Sequence, residues 1–171
     1  MIRQATQWDI PAVAEIYSQL HTQEELGQTT IGWIRDVYPT GETARQAQCR
    51  GELYVQEDGM IVGAAIFNQC QGDAYQKAQW HHDAAEQDVM VMHTLVISPR
   101  VSGRGYGKAF VRFYEEYARA HNCHYLRMDT NSRNTRARSL YRKLGFTEAG
   151  VVPCVFNGIE GVNLVLLEKA L

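Results

Sequence analysis

Residues 102 to 110 read SGRGYGKAF, three glycines within five positions and then a lysine. The stretch follows an apolar run and precedes a helix-like one. A strand, a glycine turn and a helix in that order make a site for an anion. The first N–H groups of a helix have no partner inside it, and the helix dipole favours negative charge there. Glycine adds a backbone that can come close to phosphate oxygens, because no Cβ stands in the way. A P-loop is excluded: Ser102 stands where its first glycine should be, and Ala109 where its Mg²⁺-binding hydroxyl should be. The dinucleotide fingerprint G-x-G-x-x-G is met by Gly103 and Gly105 and broken by Lys108. Asp129, 22 residues past Gly107, has the spacing of a ribose-binding acid. Too little chain follows, however, to build a second nucleotide half.

A second stretch with chemical content is DTNSRNTRARSLYRKLGF, residues 129 to 146. Tyr141 shares a helical face with Ala137 and Leu144, a pattern that serves a core aromatic as well as a proton donor. His93 lies in the apolar run VMVMHTLVIS. Its ordinary pKa near neutrality suits a base, and its setting suits a buried strand histidine equally. His81, His82 and Asp83 are consecutive, whereas ligands on one helix face want spacings of three or four, so they read as a solvated turn and no metal is expected. The four cysteines, Cys49, Cys70, Cys123 and Cys154, are scattered without C-x-x-C spacing and read as reduced thiols.

The elements that must carry these residues follow from periodicity. MIRQAT reads as an opening strand, and Asp9 as the cap of a helix with Pro11 in its first turn and Ala12, Ile16 and Leu20 on one face. Residues 23 to 50 are polar and helix-leaning. ELYVQEDGMIVGAAIF reads as a hairpin turning at Asp58-Gly59. Residues 68 to 88 are a polar insertion with Tyr75 and Trp80 on a short helix. The apolar run around residues 89 to 98 has the character of a central buried strand. Phe110, Val111, Tyr114, Tyr117 and Ala118 form a helical stripe. HYLRMDT is a strand, residues 134 to 144 a helix stopped by Gly145, and the tail a hairpin turning at Asn157-Gly158. The order predicts one mixed α/β (α+β) domain over all 171 residues. A net charge of −2 gives no basis for nucleic-acid binding. The absence of an export signal and of a long apolar span predicts a cytoplasmic protein with no membrane partner.

Together the two stretches resemble the GNAT superfamily of acetyl-CoA-dependent N-acetyltransferases. The first matches the family's turn, in which a strand ends in a proline, here Pro99, and [R/Q]-x-x-G-x-[G/A] opens a helix. Ser102 departs from the usual Arg or Gln. Asn134, Ala137, Leu140, Tyr141, Lys143, Gly145 and Phe146 match the later segment. The resemblance implies a mostly antiparallel central sheet with a splayed central strand pair, flanked by helices. It implies acetyl-CoA as cosubstrate, with its pyrophosphate on the N–H groups of Ser102, Gly103, Arg104, Gly105, Tyr106, Gly107 and Lys108. The pantetheine arm would lie against Leu95, Val96 and Ile97, with Asn134 bonding the arm and Tyr141 giving a proton to the departing thiolate. His93 is the candidate base, with Glu86, Asp88 or a water chain as alternatives. Among Arg104, Arg133, Arg138 and Arg142, Arg104 is the expected phosphate contact. The acceptor, a primary amine of a small molecule or peptide, would bind between residues 23 to 40 and the strands after 150, near Trp33, Tyr38 and Phe156. A homodimer is left open. The competing functions are a non-catalytic acyl-CoA-binding domain of the same fold and a nicotinamide-nucleotide enzyme.

Overall fold

A computed structural model describes all 171 residues. Seven strands form one sheet in the order β1-β2-β3-β4-β5-β7-β6. They are β1 (Ile2–Gln4), β2 (Leu53–Glu57), β3 (Ile61–Asn68), β4 (Val89–Ile97), β5 (Tyr125–Asn131), β6 (Thr147–Phe156) and β7 (Ile159–Ala170). The helices are α1 (Ile10–Glu25), α2 (Gly41–Cys49), α3 (Tyr106–Ala120) and α4 (Thr135–Lys143). Neighbouring strands are antiparallel, except that β4 and β5 run parallel on either side of the α3 crossover. No helix is long and apolar enough to cross a membrane.

One face of the sheet is covered by α3 and α4. Phe110, Val111, Tyr114 and Ala118 of α3 and Tyr141 of α4 bury against Phe67, Met90, Met92, Leu126, Met128, Val165 and Leu167. The opposite face has two covers. Helices α1 and α2 close over Leu53, Val55, Ala64, Ile66 and Val96. A strap formed by the 68–88 insertion puts Tyr75 over Val89, Val91, Val152, Leu164 and Leu166. Between these two covers the sheet is open, and a cleft enters there.

The turns follow from local chemistry. Asn157 and Gly158 both have positive φ, 48° and 84°, as a two-residue hairpin with the native strand twist requires. Three elements differ from expectation, besides the short helix of the insertion, a 3-10 turn over Asp73–Lys77 that holds Tyr75 and leaves out Trp80. Asp9 stands at the N-cap of α1 as expected, but its side chain does not cap it: the carboxylate closes the preceding 3-10 turn instead, accepting from the Thr6 backbone (2.8 Å) and from Arg3 (2.8 and 2.9 Å). The 23–50 region resolves into the end of α1, a loop and the short α2, whose start is fixed by Thr40 accepting from Thr43 N. Third, β4 is not a regular strand. Its register against β3 shifts between Ala64 and Ile66, and Thr94 takes φ 51°, so β4 carries one extra residue there. Such a bulge re-aims the side chains beyond it. Val89 and Val91 lie under the strap, whereas beyond the bulge it is Val96 that turns to that face, under α1 and α2.

Candidate active site

The parallel pairing of β4 with β5 lasts for four residues, Val89–Met92 against Tyr125–Met128, and then stops. Beyond it the strands diverge. β4 keeps its bonds to β3 through Ile97, while its other edge from His93 onward has no strand partner. Leu95, Val96 and Ile97 therefore lie on a fork with one free backbone edge.

The glycine turn sits at the open end of the fork. After a 3-10 turn over Pro99–Val101 the chain enters α3 through Gly105 with φ 85°, and Gly103 has the same φ. Neither position crowds a Cβ, so glycine is required here by the left-handed conformation rather than by contact. The backbone N–H groups of Gly103, Arg104, Gly105, Tyr106, Gly107 and Lys108 find no acceptor in the protein. Six consecutive free donors at a helix N-terminus form a concave site for an anion. Ser102 is excluded from the set, because its N–H donates to Pro99 O at 3.3 Å. Its hydroxyl instead accepts from Arg136 at 2.6 Å, which brings to the turn a cation that no motif position named. Among the arginines, Arg104 makes no side-chain ion pair, while Arg138 is spent on a two-pronged contact with Glu148 at 2.8 and 2.9 Å. Tyr106 donates to Asp58 at 2.6 Å.

Asn134 is the N-cap of α4, its Oδ1 accepting from Ala137 N at 3.2 Å, which leaves its amide N–H₂ as the group free for a ligand. Tyr141 lies two helix turns further, on the α3/α4 side of the fork. It is 7% exposed and its hydroxyl bonds to nothing in the protein. Burial, and then the negative charge of Asp129, push its pKa well up, so it is a protonated donor throughout the ordinary pH range.

His93 lines the cleft on the opposite face, with Tyr38, Thr94, Phe156 and Asp129. The cleft measures about 600 Å³. Asn68 Oδ1 already accepts from Cys70 N, so His93 Nε2 donates to it at 2.9 Å and Nδ1 carries the lone pair. Burial pulls the imidazole pKa down to about 4. Glu86 and Asp88 lie at the closed end of the β4–β5 pair, roughly 15 Å of strand from His93 at the usual rise per residue. Tyr38 bonds Thr94 at the bulge and packs edge-on to Phe156 at 5.4 Å and to Trp33 at 6.1 Å. These three aromatics form a continuous wall. Trp33 itself opens onto a separate groove of about 500 Å³ lined by Glu24, Arg133 and Glu160.

The residue that sequence reasoning misjudged is Asp129, which appeared there only as the acid of a nucleotide fold. It stands on β5 at the mouth of the fork, held by a hydrogen bond from Tyr75 at 2.8 Å, and burial raises it to about 6. Only the strap, 54 residues earlier in the chain, makes this environment.

Comparisons with known proteins agree with this fold. A 24%-identical acetyltransferase of the GNAT family from Streptococcus agalactiae superposes with a TM-score of 0.81 over 100% of this chain and 95% of its own. A 19%-identical Salmonella typhimurium protein, solved with its cofactor acetyl-CoA, superposes with a TM-score of 0.70 over 99% of this chain and 92% of its own. Streptothricin acetyltransferase of Escherichia coli is 27% identical over 95 residues, 56% of this chain and 51% of that protein, so the chain matches about half of that relative's length. The model of the acetyltransferase (GNAT) family matches residues 11–146, which take in the fork, the glycine turn and α4; the chain belongs to that family, whose cosubstrate is acetyl-CoA.

Proposed function

We propose that the protein transfers the acetyl group of acetyl-CoA to a primary amine of a small molecule or peptide, by direct attack of the amine on the thioester. The observation that carries this is the continuity of the free backbone: six unpartnered N–H groups at 103–108 lead to the unpaired edge of β4, which ends at the fork between Tyr141 and the cleft. The N–H groups fit a pyrophosphate. Charge-assisted bonds contribute on the order of 1.5–3 kcal/mol each, and a micromolar site needs about 8 kcal/mol. The edge at Leu95–Ile97 and the Asn134 amide fit the amides of an extended arm. When bound, the cosubstrate supplies an activated acyl carbon in the fork. The Tyr141 hydroxyl is the proton source for the leaving sulfur, and the groups of the cleft are proton acceptors for the amine.

Gly105→Glu tests the placement. The carboxylate repels an anion at the mouth of the turn. The left-handed φ of 85° at this position adds backbone strain of about 1–3 kcal/mol, so Gly105→Ala, which carries the strain without the charge, is the control: calorimetry should show acetyl-CoA affinity lost in the glutamate variant and largely kept in the alanine variant. Unaltered affinity would remove the turn from the site.

A further inference from the structure

Met92 and Met128 are the last paired residues of the β4–β5 seam, so His93 and Asp129 are the first residues past it, one on each strand. Both methionines bury under α3 and α4, on the same side as Tyr141. His93 and Asp129 have the opposite strand phase and line the cleft. An acyl group seated in the fork thus has a hydroxyl donor on one face of the sheet and a carboxylate with an imidazole on the other.

Three charged groups line this cleft, Arg50, Glu52 and Asp129. Glu52 is paired with Arg50 at 2.9 Å and accepts from Asn68 at 3.2 Å. Asp129 has no cation. Its Oδ2 accepts from Tyr75, and Oδ1 has no partner and is not sealed from solvent. The titratable groups that face it, Tyr75, Tyr38, Tyr141 and Cys154, are all neutral near pH 7, and His93 across the fork is neutral as well. A half-buried carboxylate without a counter-ion carries a desolvation cost that a cationic ligand would relieve.

We propose, on the reading that the chain acetylates amines, that the cleft takes a cationic primary amine and that Asp129 both seats its ammonium and accepts its proton. The aromatic faces of Tyr38 and Phe156 suit the same cation. Burial also inverts the ordinary order of basicity, with Asp129 at about 6 and His93 at about 4, so the carboxylate is the better acceptor of the two. In the step, the ammonium gives one proton to Asp129 Oδ1, which passes it to solvent. The freed lone pair forms the N–C bond to the acyl carbon, and the C–S bond breaks with its electron pair on sulfur. Sulfur takes a proton from Tyr141, and the second proton lost by nitrogen restores that tyrosine. One amide, one thiol and one released proton result.

The test follows thiol release with acetyl-CoA and a panel of an alkylamine, an amino sugar and a dipeptide, each paired with an uncharged alcohol analogue. Amines should react and alcohols should not. The wild-type kcat/KM should show an acid limb near pH 6. Asp129→Asn should lower kcat/KM by roughly 10²–10⁴-fold and abolish the limb, with acetyl-CoA affinity retained. Tyr75→Phe keeps the carboxylate and removes the bond that lowers its pKa, so the limb should move to higher pH. Undiminished turnover in Asp129→Asn, a limb unmoved in Tyr75→Phe, or a limb lost instead in His93→Gln overturns the assignment of Asp129 and leaves the amine reading standing. Wild-type protein that binds acetyl-CoA and turns over no amine sinks both.

Discussion

Tyr141 and Asp129 act through what surrounds them, and each gives a prediction. Tyr141→Phe removes one unbonded hydroxyl from a buried ring. Packing against Phe146 (6.1 Å between centroids) should survive. Thiol release should fall by roughly 10²–10⁴-fold, the usual worth of a positioned acid, with acetyl-CoA affinity measured by calorimetry unchanged. Full turnover in this variant would take the tyrosine out of the mechanism. Asp129 has a second signature, in stability. Its folded pKa of about 6 lies above the unfolded value, which is about 3.9. The native state therefore holds the proton more tightly, and stability is greatest below about pH 4 and is lost as pH rises to about 6. A shift of this size corresponds to about 1–3 kcal/mol. Asp129→Asn should accordingly be more stable than wild type at pH 7–8 by that amount, with the gain vanishing near pH 4 in urea titrations. An equal penalty at both pH values would contradict the origin given for the shift. Tyr141 and His93 could be singled out in the sequence as candidates because their own motif or strand contains them. Asp129 in this role could not be, since its environment is made by Tyr75 and by the end of a strand pairing, and neither is local.

Among the elements, the periodic ones were read correctly. The stripe of α3 buries Phe110, Val111, Tyr114 and Ala118, and the hairpins turn at Gly59 and at Asn157-Gly158. The bulge of β4 was not read, because an inserted residue leaves the apolar run intact; the only trace is the polar pair His93-Thr94 within it. The strap was seen as polar sequence without a purpose. Its anchor is buried and charged. Arg127 donates to Gln71 (2.8 Å) and to His82 O (3.0 Å) beneath the Trp80 ring, and Glu168, 2% exposed, accepts from His81 N. The guanidinium Nε stands 3.9 Å from that carboxylate, an ion pair without a hydrogen bond; Arg127→Ala leaves the carboxylate uncompensated and should cost about 3–5 kcal/mol. Arg127→Met with Glu168→Leu removes both charges and should recover most of it in denaturant unfolding. If the single and double variants were equally unstable, packing by the guanidinium stem, not charge, would be the anchor.

Across the molecule, two sheet halves meet at the four-residue β4–β5 seam, and acetyl-CoA in the fork would span both. A ligand that binds only the folded state stabilises it by about 2.7 kcal/mol at a hundredfold excess over Kd. Acetyl-CoA should therefore raise the melting temperature and slow amide hydrogen exchange at 93–97 and 103–108 above all. Protection spread evenly along the chain would argue against the fork as its seat. The fork also bears on self-association. Unpaired strand edges invite other chains to add to them, and this sheet has two at its margins and two inside the fork, on β4 from residue 93 and, for three residues, on β5 from residue 129. The outer strand β1 is three residues long, and the outer strand β6 carries Pro153, which has no N–H to offer. The β4 edge, at residues 93–97, is neither short nor interrupted by proline. It is recessed between two diverging strands, with α3 and α4 on one side and the cleft on the other. An incoming β-strand carries side chains on both faces and would collide with these walls, whereas a slender unbranched arm would not. The recess that would admit such an arm thereby keeps the uninterrupted 93–97 edge from pairing with other chains.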